Sequence, residues 1–167
     1  MKDFYKHSFK AYHEKTFHIE PSPFLNPLVK HLPQDALILD VACGSGRDLC
    51  WLKQRGFNVI GFERAKGLAE LARENAECRI IEGDFETYDF SNLQVDAIIL
   101  VGALVHVPHE KFKIVFKNIT YGLSASGKVL ITQKRGEGTF TDEHGRGFFL
   151  WQDRRGPDLF FFIKKSL

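Results

Sequence analysis

The chain has 167 residues, enough for one domain with one hydrophobic core. Hydrophobic residues make up 44% and charged residues 26% of the sequence, an ordinary composition for a soluble globular protein. The formal net charge of +2 is too small to indicate a nucleic acid or another polyanion as partner by itself.

The sequence predicts a cytoplasmic protein. It shows neither the apolar region of a secretory signal nor an apolar stretch long enough for a membrane span. Its three cysteines are an odd number without metal-ligand spacing, which favours free thiols in a reducing compartment. They are Cys43, Cys50 and Cys78.

The first predicted element is a short helix within residues 1–15. Aromatic residues recur there at helical spacing among charged residues, which favours a lid helix over the rest of the domain. These aromatic residues are Phe4, Tyr5, Phe9 and Tyr12. The prolines at positions 21, 23 and 27 then predict a loop that leads to a short helix ending near His31.

From residue 36 onward, apolar strands alternate with amphipathic helices. The predicted strands are residues 36–41, 58–63, 78–84, 95–101 and 128–133, and the predicted helices are residues 47–55, 65–76 and 109–123. This alternation predicts right-handed βαβ units and a doubly wound, mostly parallel α/β sheet. Ligands of such sheets bind beyond the carboxyl ends of the strands.

The C-terminal segment, residues 134–167, contains two aromatic runs. Because aromatic residues favour strands, residues 147–151 and 159–163 predict an antiparallel hairpin that turns at residues 155–157. A helix beginning at Pro157 is the alternative. The phenylalanines here indicate either core or an interface, so a homodimer through this segment is a possibility; they are Phe148, Phe149, Phe160, Phe161 and Phe162.

The strongest signal for a ligand site follows the first predicted strand. Residues 37–46 read Leu-Ile-Leu-Asp-Val-Ala-Cys-Gly-Ser-Gly, an apolar run that ends at Asp40 and continues into a turn of small residues. Ala42, Gly44 and Gly46 permit a tight turn and a close approach of a ligand to the backbone. The next helix presents unpaired N–H groups at its N-terminus. The pattern predicts a nucleotide-type cofactor.

Acidic residues also end the second and third predicted strands. A carboxylate at Glu63 suits the two hydroxyl donors of a ribose, and one at Asp84 suits the exocyclic amine of adenine, with Phe85 beside the ring. Solvent-exposed acids are the alternative for both. A nicotinamide dinucleotide site would require a third glycine where this sequence has Leu49, which disfavours an oxidoreductase.

In this order the motifs resemble those of the class I S-adenosylmethionine-dependent methyltransferases, over about residues 36–133. Asp40 to Gly46 is similar to the first motif of that family, and Glu63 and Asp84 match its two later acids. Residues 122–131 are similar to the approach to the fifth strand, with serines replacing the usual proline and glycine. The resemblance implies a single methyltransferase domain: a lid (residues 1–34), a cofactor-binding core (35–133) and the C-terminal segment.

The resemblance implies S-adenosyl-L-methionine as cofactor and no metal ion. The implied cofactor-binding residues are Tyr12, Asp40, Ala42, Gly44, Gly46, Asp48, Glu63, Arg64, Asp84, Phe85 and Val101. By the resemblance, Glu63 would bind the ribose, and Asp84 and Phe85 would hold the adenine with Arg64 beside it. The main chain near Val101 would accept the ammonium of the cofactor.

Two further parts of the cofactor site are less specific in the sequence. Tyr12 is a candidate contact for the methionine carboxylate. Arg47 and Asp48 stand in the first turn of a predicted helix, where each would either contact the amino-acid end of the cofactor or cap that helix.

The resemblance places the methyl acceptor after the fourth strand, where His106 is the candidate catalytic residue. It would contact the substrate or accept a proton at neutral pH; a packed and hydrogen-bonded histidine is the alternative. The segment Lys134 to Gly138 would shape the acceptor pocket, and basic residues near the C-terminus would bind an anionic acceptor or form solubilising loops. These residues are Arg146, Arg154 and Arg155.

The predicted function is methyl transfer to an O, N or S atom of a small molecule. The sequence lacks an Asn/Asp-Pro-Pro-aromatic motif after the fourth strand and a cysteine nucleophile for pyrimidine C5 chemistry, so a nucleic-acid acceptor is disfavoured. A modified tRNA base remains an alternative acceptor. A non-catalytic module that binds S-adenosylmethionine is a further alternative.

Overall fold

The computed structural model describes residues 2–152 and 159–164, with side chains from residue 4 to residue 152. The helices within these residues are α1 (Lys2–His7), α2 (Phe9–Thr16), α3 (Ser22–Val29), α4 (Arg47–Lys53), α5 (Lys66–Ala76) and α6 (His109–Thr120). The strands are β1 (Leu37–Val41), β2 (Asn58–Glu63), β3 (Arg79–Glu82), β4 (Val95–Val101), β5 (Leu123–Gln133), β6 (Thr139–Thr141), β7 (Gly147–Phe149) and β8 (Leu159–Lys164).

The main sheet has six strands in the order β3-β2-β1-β4-β5-β8. The first five run parallel, and β8 pairs antiparallel with β5 at the edge. The winding reverses between β1 and β4, so a crevice forms at the carboxyl ends of these two strands. The predicted doubly wound, mostly parallel α/β sheet is confirmed.

Both faces of the sheet are buried, which explains why its strands read as continuous apolar runs. Successive residues of a strand point to opposite faces. On β4, Ile98 and Leu100 belong to one hydrophobic cluster, together with Phe62 of β2. Ala97 and Ile99 belong to the cluster on the other face, with Leu49 of α4. Leu49, the residue that replaces the third glycine of a dinucleotide motif, is therefore a core residue.

The N-terminal segment forms two helices rather than the predicted single one, with Ser8 between them. They pack against α5, where Gly67 makes room for an aromatic ring: a Cβ atom on Gly67 would lie 2.7 Å from the ring of Phe9. The predicted short helix after them is α3, but Pro23 and Pro27 lie inside it rather than in a loop. Pro23 is tolerated because the first turn of a helix needs no N–H donor.

The C-terminal segment contains the two predicted strands, but their predicted pairing with each other is wrong. β7 pairs with β6 in a separate two-stranded hairpin, and β8 pairs with β5. The carboxylate of Asp142 stabilises the β6–β7 turn by accepting the N–H groups of His144 and Arg146, at 3.0 and 2.9 Å. The alternative helix from Pro157 is also wrong, because residues 159–164 are extended; the predicted turn at 155–157 lies outside the described residues.

The remaining expectations concern thiols, aromatic residues and membrane spans. The three cysteines are free thiols, as predicted. Phe148 is 6% exposed and packs within the chain, against Phe140 and His106, so it is not available to a dimer interface. Among the described residues, none of the helices has the length and apolar character needed to cross a lipid bilayer.

The close packing around β2 gives a first test. A Cβ atom on Gly61 would lie 2.5 Å from Cδ1 of Ile80, 2.8 Å from Cδ1 of Leu49 and 2.9 Å from Sγ of Cys43. Gly61→Ala is expected to lower the free energy of unfolding by about 1–3 kcal/mol, because three core side chains must move. Urea denaturation measures this change. Gly147→Ala is the control, since a Cβ atom there has no neighbour within 4 Å; equal stability of the two variants would contradict the packing described.

Candidate functional site

Three adjoining cavities lie at the carboxyl ends of β1, β2, β4 and β5. The central cavity is lined by Ala42, Gly44, Glu63, Phe85, Val101 and His106, among others. The acidic cavity is lined by Asp40, Asp48, Arg47, Thr16 and Val101, among others. The outer cavity is lined by Gly102, His106, Thr132, Gln133, Lys134, Arg146 and Phe148, among others. Tyr12 lines all three of them.

The turn after β1 places backbone groups at the wall of the central cavity. Ala42 and Gly44 have positive φ angles of 61° and 57°, and both line this cavity. Gly46 also has a positive φ, of 87°, but it lines none of the three cavities. A Cβ atom on Gly46 would lie 3.1 Å from Cα of Ala72, so this glycine permits close packing of the turn on α5. Its contact with the cofactor stays a prediction.

Glu63 is held at the end of β2 by two backbone donors. Its Oε2 accepts the N–H of Gly44 at 3.0 Å, and its Oε1 accepts the N–H of Ala65 at 2.8 Å. Burial raises the pKa of Glu63, while these hydrogen bonds act in the opposite direction. Glu63 lines the central cavity, and a carboxylate can accept more than two hydrogen bonds, which suits the two hydroxyl donors of a ribose.

Asp84 lies beside the central cavity rather than in its wall. β3 ends at Glu82, and the carboxylate of Asp84 contacts Nη1 of Arg64 at 3.4 Å and accepts the N–H of Glu86 at 3.1 Å. Arg64, Phe85 and Glu86 line the cavity, whereas Asp84 does not. The predicted hydrogen bond from adenine to Asp84 would therefore require this carboxylate to reorient. Phe85 lines the cavity, and its contact with a planar base stays a prediction.

The acidic cavity contains two buried carboxylates and one cation. Asp40 is 2% exposed and Asp48 is 5% exposed, and burial raises the pKa of both. Arg47 donates from Nε to Oδ1 of Asp48 at 2.6 Å, so these two residues bind each other as well as starting α4. Oδ2 of Asp40 is buried without a hydrogen-bond partner in the structure.

The polar groups of the acidic cavity fit the amino-acid end of S-adenosylmethionine. A buried carboxylate oxygen without a partner is destabilising, and an ammonium donor would satisfy it. Arg47 supplies a cation beside the same space, which suits the carboxylate of an amino acid. Val101 lines both the acidic and the central cavity, and the contact of its main chain with the ammonium stays a prediction.

The N-terminal helices cover this part of the site. Nδ1 of His13 hydrogen-bonds Oγ of Ser45 at 2.8 Å, and Nη1 of Arg47 donates to the carbonyl of Thr16 at 3.5 Å. Burial raises the pKa of Tyr12 to about 12, so its hydroxyl keeps its proton at neutral pH. The predicted lid is therefore in contact with the glycine turn, and Tyr12 is in contact with all three cavities.

His106 is both hydrogen-bonded and exposed to the cavities, so it combines the two predicted alternatives. Its Nδ1 lies 2.6 Å from the carbonyl oxygen of Gly147, which can only accept, so Nδ1 carries the proton. Its Nε2 then accepts the hydroxyl proton of Tyr5 at 3.0 Å. Burial lowers the pKa of His106, which favours this neutral form. The imidazole lines both the central and the outer cavity.

Sequence reasoning missed several residues around His106. Thr132 and Gln133 end β5, and Thr132 accepts the N–H of Gly102 at 2.8 Å. Phe148 stands on β7, with its ring centroid 4.5 Å from that of His106. The sequence did signal Tyr5, as one of the aromatic residues that recur at helical spacing in the N-terminal segment. No local sequence pattern indicated that the β6–β7 hairpin would contact His106.

The basic residues predicted near the acceptor differ in whether they line the outer cavity and in the partners that they bind. Lys134 and Arg146 line the outer cavity. Arg146 binds the carboxylate of Asp142 through Nε and Nη2, at 2.7 and 2.6 Å, and donates from Nη1 to the hydroxyl of Tyr5 at 3.3 Å. The remaining two arginines, at positions 154 and 155, lie outside the described residues. Within Lys134 to Gly138, only Lys134 lines this cavity.

A sequence profile of a methyltransferase domain family matches residues 38–127, more than half of the chain. The chain belongs to the class I S-adenosylmethionine-dependent methyltransferases. This is a family of enzymes whose cofactor is S-adenosylmethionine, and the match spans β1 to β5, the part of the sheet that builds the central cavity. The predicted family is confirmed.

Individual relatives are distant. YqeM of Bacillus subtilis, named as a methyltransferase, is 23% identical over 141 residues, which cover 76% of this chain and 57% of that protein. The PH0226 protein of Pyrococcus horikoshii has a TM-score of 0.67 and 22% identity, covering 85% of this chain and 84% of that one. The 1,6-didemethyltoxoflavin-N1-methyltransferase of Burkholderia thailandensis has a TM-score of 0.75 and 19% identity. The match covers 91% of this chain and 70% of that one. At this identity the solved structures show a shared fold.

The hydrogen bond between Tyr5 and His106 gives a second test. The Tyr5 hydroxyl donates to Nε2 and so favours the neutral imidazole; Tyr5→Phe removes the donor and is expected to raise the pKa of His106 from its lowered value toward 6.5. An NMR titration of the imidazole nitrogens measures both the pKa and the Nδ1–H tautomer. Tyr121→Phe is the matched control, because Tyr121 is 55% exposed and far along the chain from this contact. An unchanged His106 pKa in Tyr5→Phe would contradict the assigned donor.

Proposed function

We propose that this chain transfers a methyl group from S-adenosylmethionine to an O, N or S atom of a small molecule. One observation carries the proposal: the central cavity, bounded by Gly44 and Glu63, continues past Gly102 and His106 into the outer cavity. A cofactor and an acceptor can therefore meet in one continuous space at the carboxyl ends of the parallel strands. The alignment of two reactants in such a space is the main requirement for displacement at a methyl carbon.

The cofactor side of this space is formed by residues of the sheet. Bound S-adenosylmethionine would supply an electrophilic methyl group on a positively charged sulfur. Glu63 would accept the hydroxyls of the ribose, and Phe85 would cover the base. Asp40 would accept the ammonium through Oδ2, which has no hydrogen-bond partner within the described part of the chain. Tyr12 would close the cofactor off from water where the three cavities meet.

The acceptor side contains a neutral imidazole with a defined proton arrangement. An acceptor that reacts as an O–H or N–H group must lose a proton. Tyr5 can take that proton on its hydroxyl oxygen while it passes its own proton to Nε2 of His106, 3.0 Å away. The carbonyl of Gly147 keeps the other ring nitrogen protonated and would stabilise the resulting imidazolium.

The size of the acceptor follows from what encloses the outer cavity. Tyr5 from the N-terminal helices and Phe148 from the β6–β7 hairpin both line it, and Arg146 of the hairpin reaches Tyr5. These contacts favour a small molecule over a base within a large nucleic acid. The Burkholderia enzyme of the same fold, named for the acceptor 1,6-didemethyltoxoflavin, lends support to this choice. A cytoplasmic location and a homodimer remain predictions.

Cofactor binding is tested at Glu63. Glu63→Gln is expected to weaken the binding of S-adenosylhomocysteine by about tenfold or more, because a charged acceptor of hydrogen bonds contributes about 1.5–3 kcal/mol. Isothermal titration calorimetry measures the affinity, and circular dichroism shows that the variant is folded. Glu82→Gln is the control: this acid ends β3, pairs with Arg73 and lines none of the three cavities. An affinity within about threefold of wild type in Glu63→Gln would contradict the ribose assignment.

Catalysis is tested at His106, which also separates an enzyme from a non-catalytic module. His106→Asn keeps a donor for the Gly147 carbonyl but removes the Nε2 lone pair. With methyl-labelled S-adenosylmethionine and a panel of metabolites, the wild type is expected to label an acceptor, and the variant to do so about 10²-fold more slowly, with little change in cofactor affinity. Binding of the cofactor without labelling of any acceptor would favour the module. A full rate in His106→Asn would rule out proton transfer to His106.

A further inference from the structure

The outer cavity is positively charged. Two cations line it, Lys134 and Arg146, and none of the described residues that line it is acidic. Arg146 is neutralised by its ion pair with Asp142. Lys134 has no carboxylate within salt-bridge distance among the residues that the structure describes, and its ammonium instead lies 4.8 Å from the ring centroid of Phe148. An uncompensated positive charge therefore remains at the edge of this cavity.

Gln133 adds a second feature that points to a ligand. Both polar atoms of its side chain, Nε2 and Oε1, are buried and have no hydrogen-bond partner among the residues that the structure describes. Gln133 lines the same cavity as Lys134, its neighbour in sequence. A buried amide without partners is destabilising, so its retention at this position is explained if a bound molecule supplies the missing donor and acceptor.

The walls of the outer cavity are largely aromatic. Phe148 is almost fully buried, and the imidazole of His106 packs on its ring. Tyr5 and Tyr12 line the same cavity, with their ring centroids 5.2 Å apart in an edge-to-face arrangement. Faces and edges of aromatic rings arranged in this way accommodate a planar ring better than a branched aliphatic molecule.

We propose that the outer cavity selects a planar, ring-containing acceptor that carries an anionic group. Lys134 pairs with the anion, and the amide of Gln133 binds a polar group on the edge of the ring. The inference rests on the proposed function, since it names the substrate class of the same acceptor site. It makes Lys134 and Gln133 determinants of specificity, with the reacting atom on the His106 side of the ring.

The charge preference is tested with three phenol probes that differ in the charge of their para substituent. Binding of para-hydroxybenzoate, its neutral amide para-hydroxybenzamide and the cation tyramine is measured by calorimetry on the protein saturated with S-adenosylhomocysteine. The benzoate is expected to bind about tenfold more tightly than the amide, and tyramine more weakly than both. Equal affinities for the three probes, or no binding of any of them at millimolar concentration, would overturn the inference.

Variants of Lys134 assign that preference to a residue. Lys134→Gln is expected to weaken benzoate binding about tenfold and to leave the amide unchanged, and Lys134→Glu to reverse the order of benzoate and tyramine. Lys113→Gln is the control, because Lys113 is an exposed lysine of α6 that lines none of the three cavities. If Lys134→Gln binds benzoate as tightly as the wild type does, Lys134 is not the anion partner and the inference fails.

Gln133 is tested by a variant whose two effects have opposite signs. Gln133→Leu removes the two buried polar atoms without partners, so Tm is expected to rise by about 2 to 4 °C. The same variant is expected to bind the benzoate and the amide about fivefold more weakly, because it loses their edge contact. A residue with a purely structural role would not show weaker binding with higher stability. Weaker binding together with a lower Tm, or unchanged binding, would contradict the role of Gln133.

These outcomes are separable from failure of the proposed function. If S-adenosylhomocysteine does not bind, the proposed function itself is wrong. If it binds normally but the probes show no preference for the anion, the methyltransferase assignment is retained and only the acceptor class is overturned.

Discussion

The buried carboxylate of Glu63 is the constraint on which the site depends. A charged group removed from water is stable only where hydrogen bonds replace those of the solvent. Here the two replacements are backbone N–H groups, one from Gly44 in the turn after β1 and one from Ala65 directly before α5. One side chain thus fixes the relative positions of the glycine turn, the end of β2 and the start of the next helix. The shape of the central cavity follows from these positions.

The proposed acceptor side is formed by contacts between residues that are far apart in the sequence. His106 hydrogen-bonds Tyr5, 101 residues before it, and Gly147, 41 residues after it. The proposed cofactor side is made by the carboxyl ends of parallel strands, whereas the proposed acceptor side is completed by the N-terminal helices and the β6–β7 hairpin. The two halves of the reaction space therefore rest on different structural elements. Changes in the hairpin or the lid can alter acceptor chemistry without disturbing the sheet.

Much of the cofactor half could be predicted from the sequence, because its signals are local. An apolar run followed by an acid and a small-residue turn indicates a buried parallel strand with a ligand site at its end. Asp40, Gly44 and Glu63 line the central or the acidic cavity. Gly46 and Asp84, which belong to the same motifs, line none of the three cavities. Glycine is needed at position 46 because Ala72 of α5 packs closely against it. The carboxylate of Asp84 forms an ion pair with Arg64. Neither contact can be recognised from the local sequence pattern.

The alternation of strands and helices, the small-residue turn after β1 and the family of the protein can be recognised in the sequence, because each of these is specified by residues close together in the chain. Three other arrangements emerge only in the folded protein: β8 pairs with β5 rather than with β7, the β6–β7 hairpin lies against Tyr5, and the amide of Gln133 is buried beside Lys134. Each of these arrangements depends on contacts between residues far apart in the sequence, because such contacts decide which strand edges and surfaces remain unpaired after the sheet has formed.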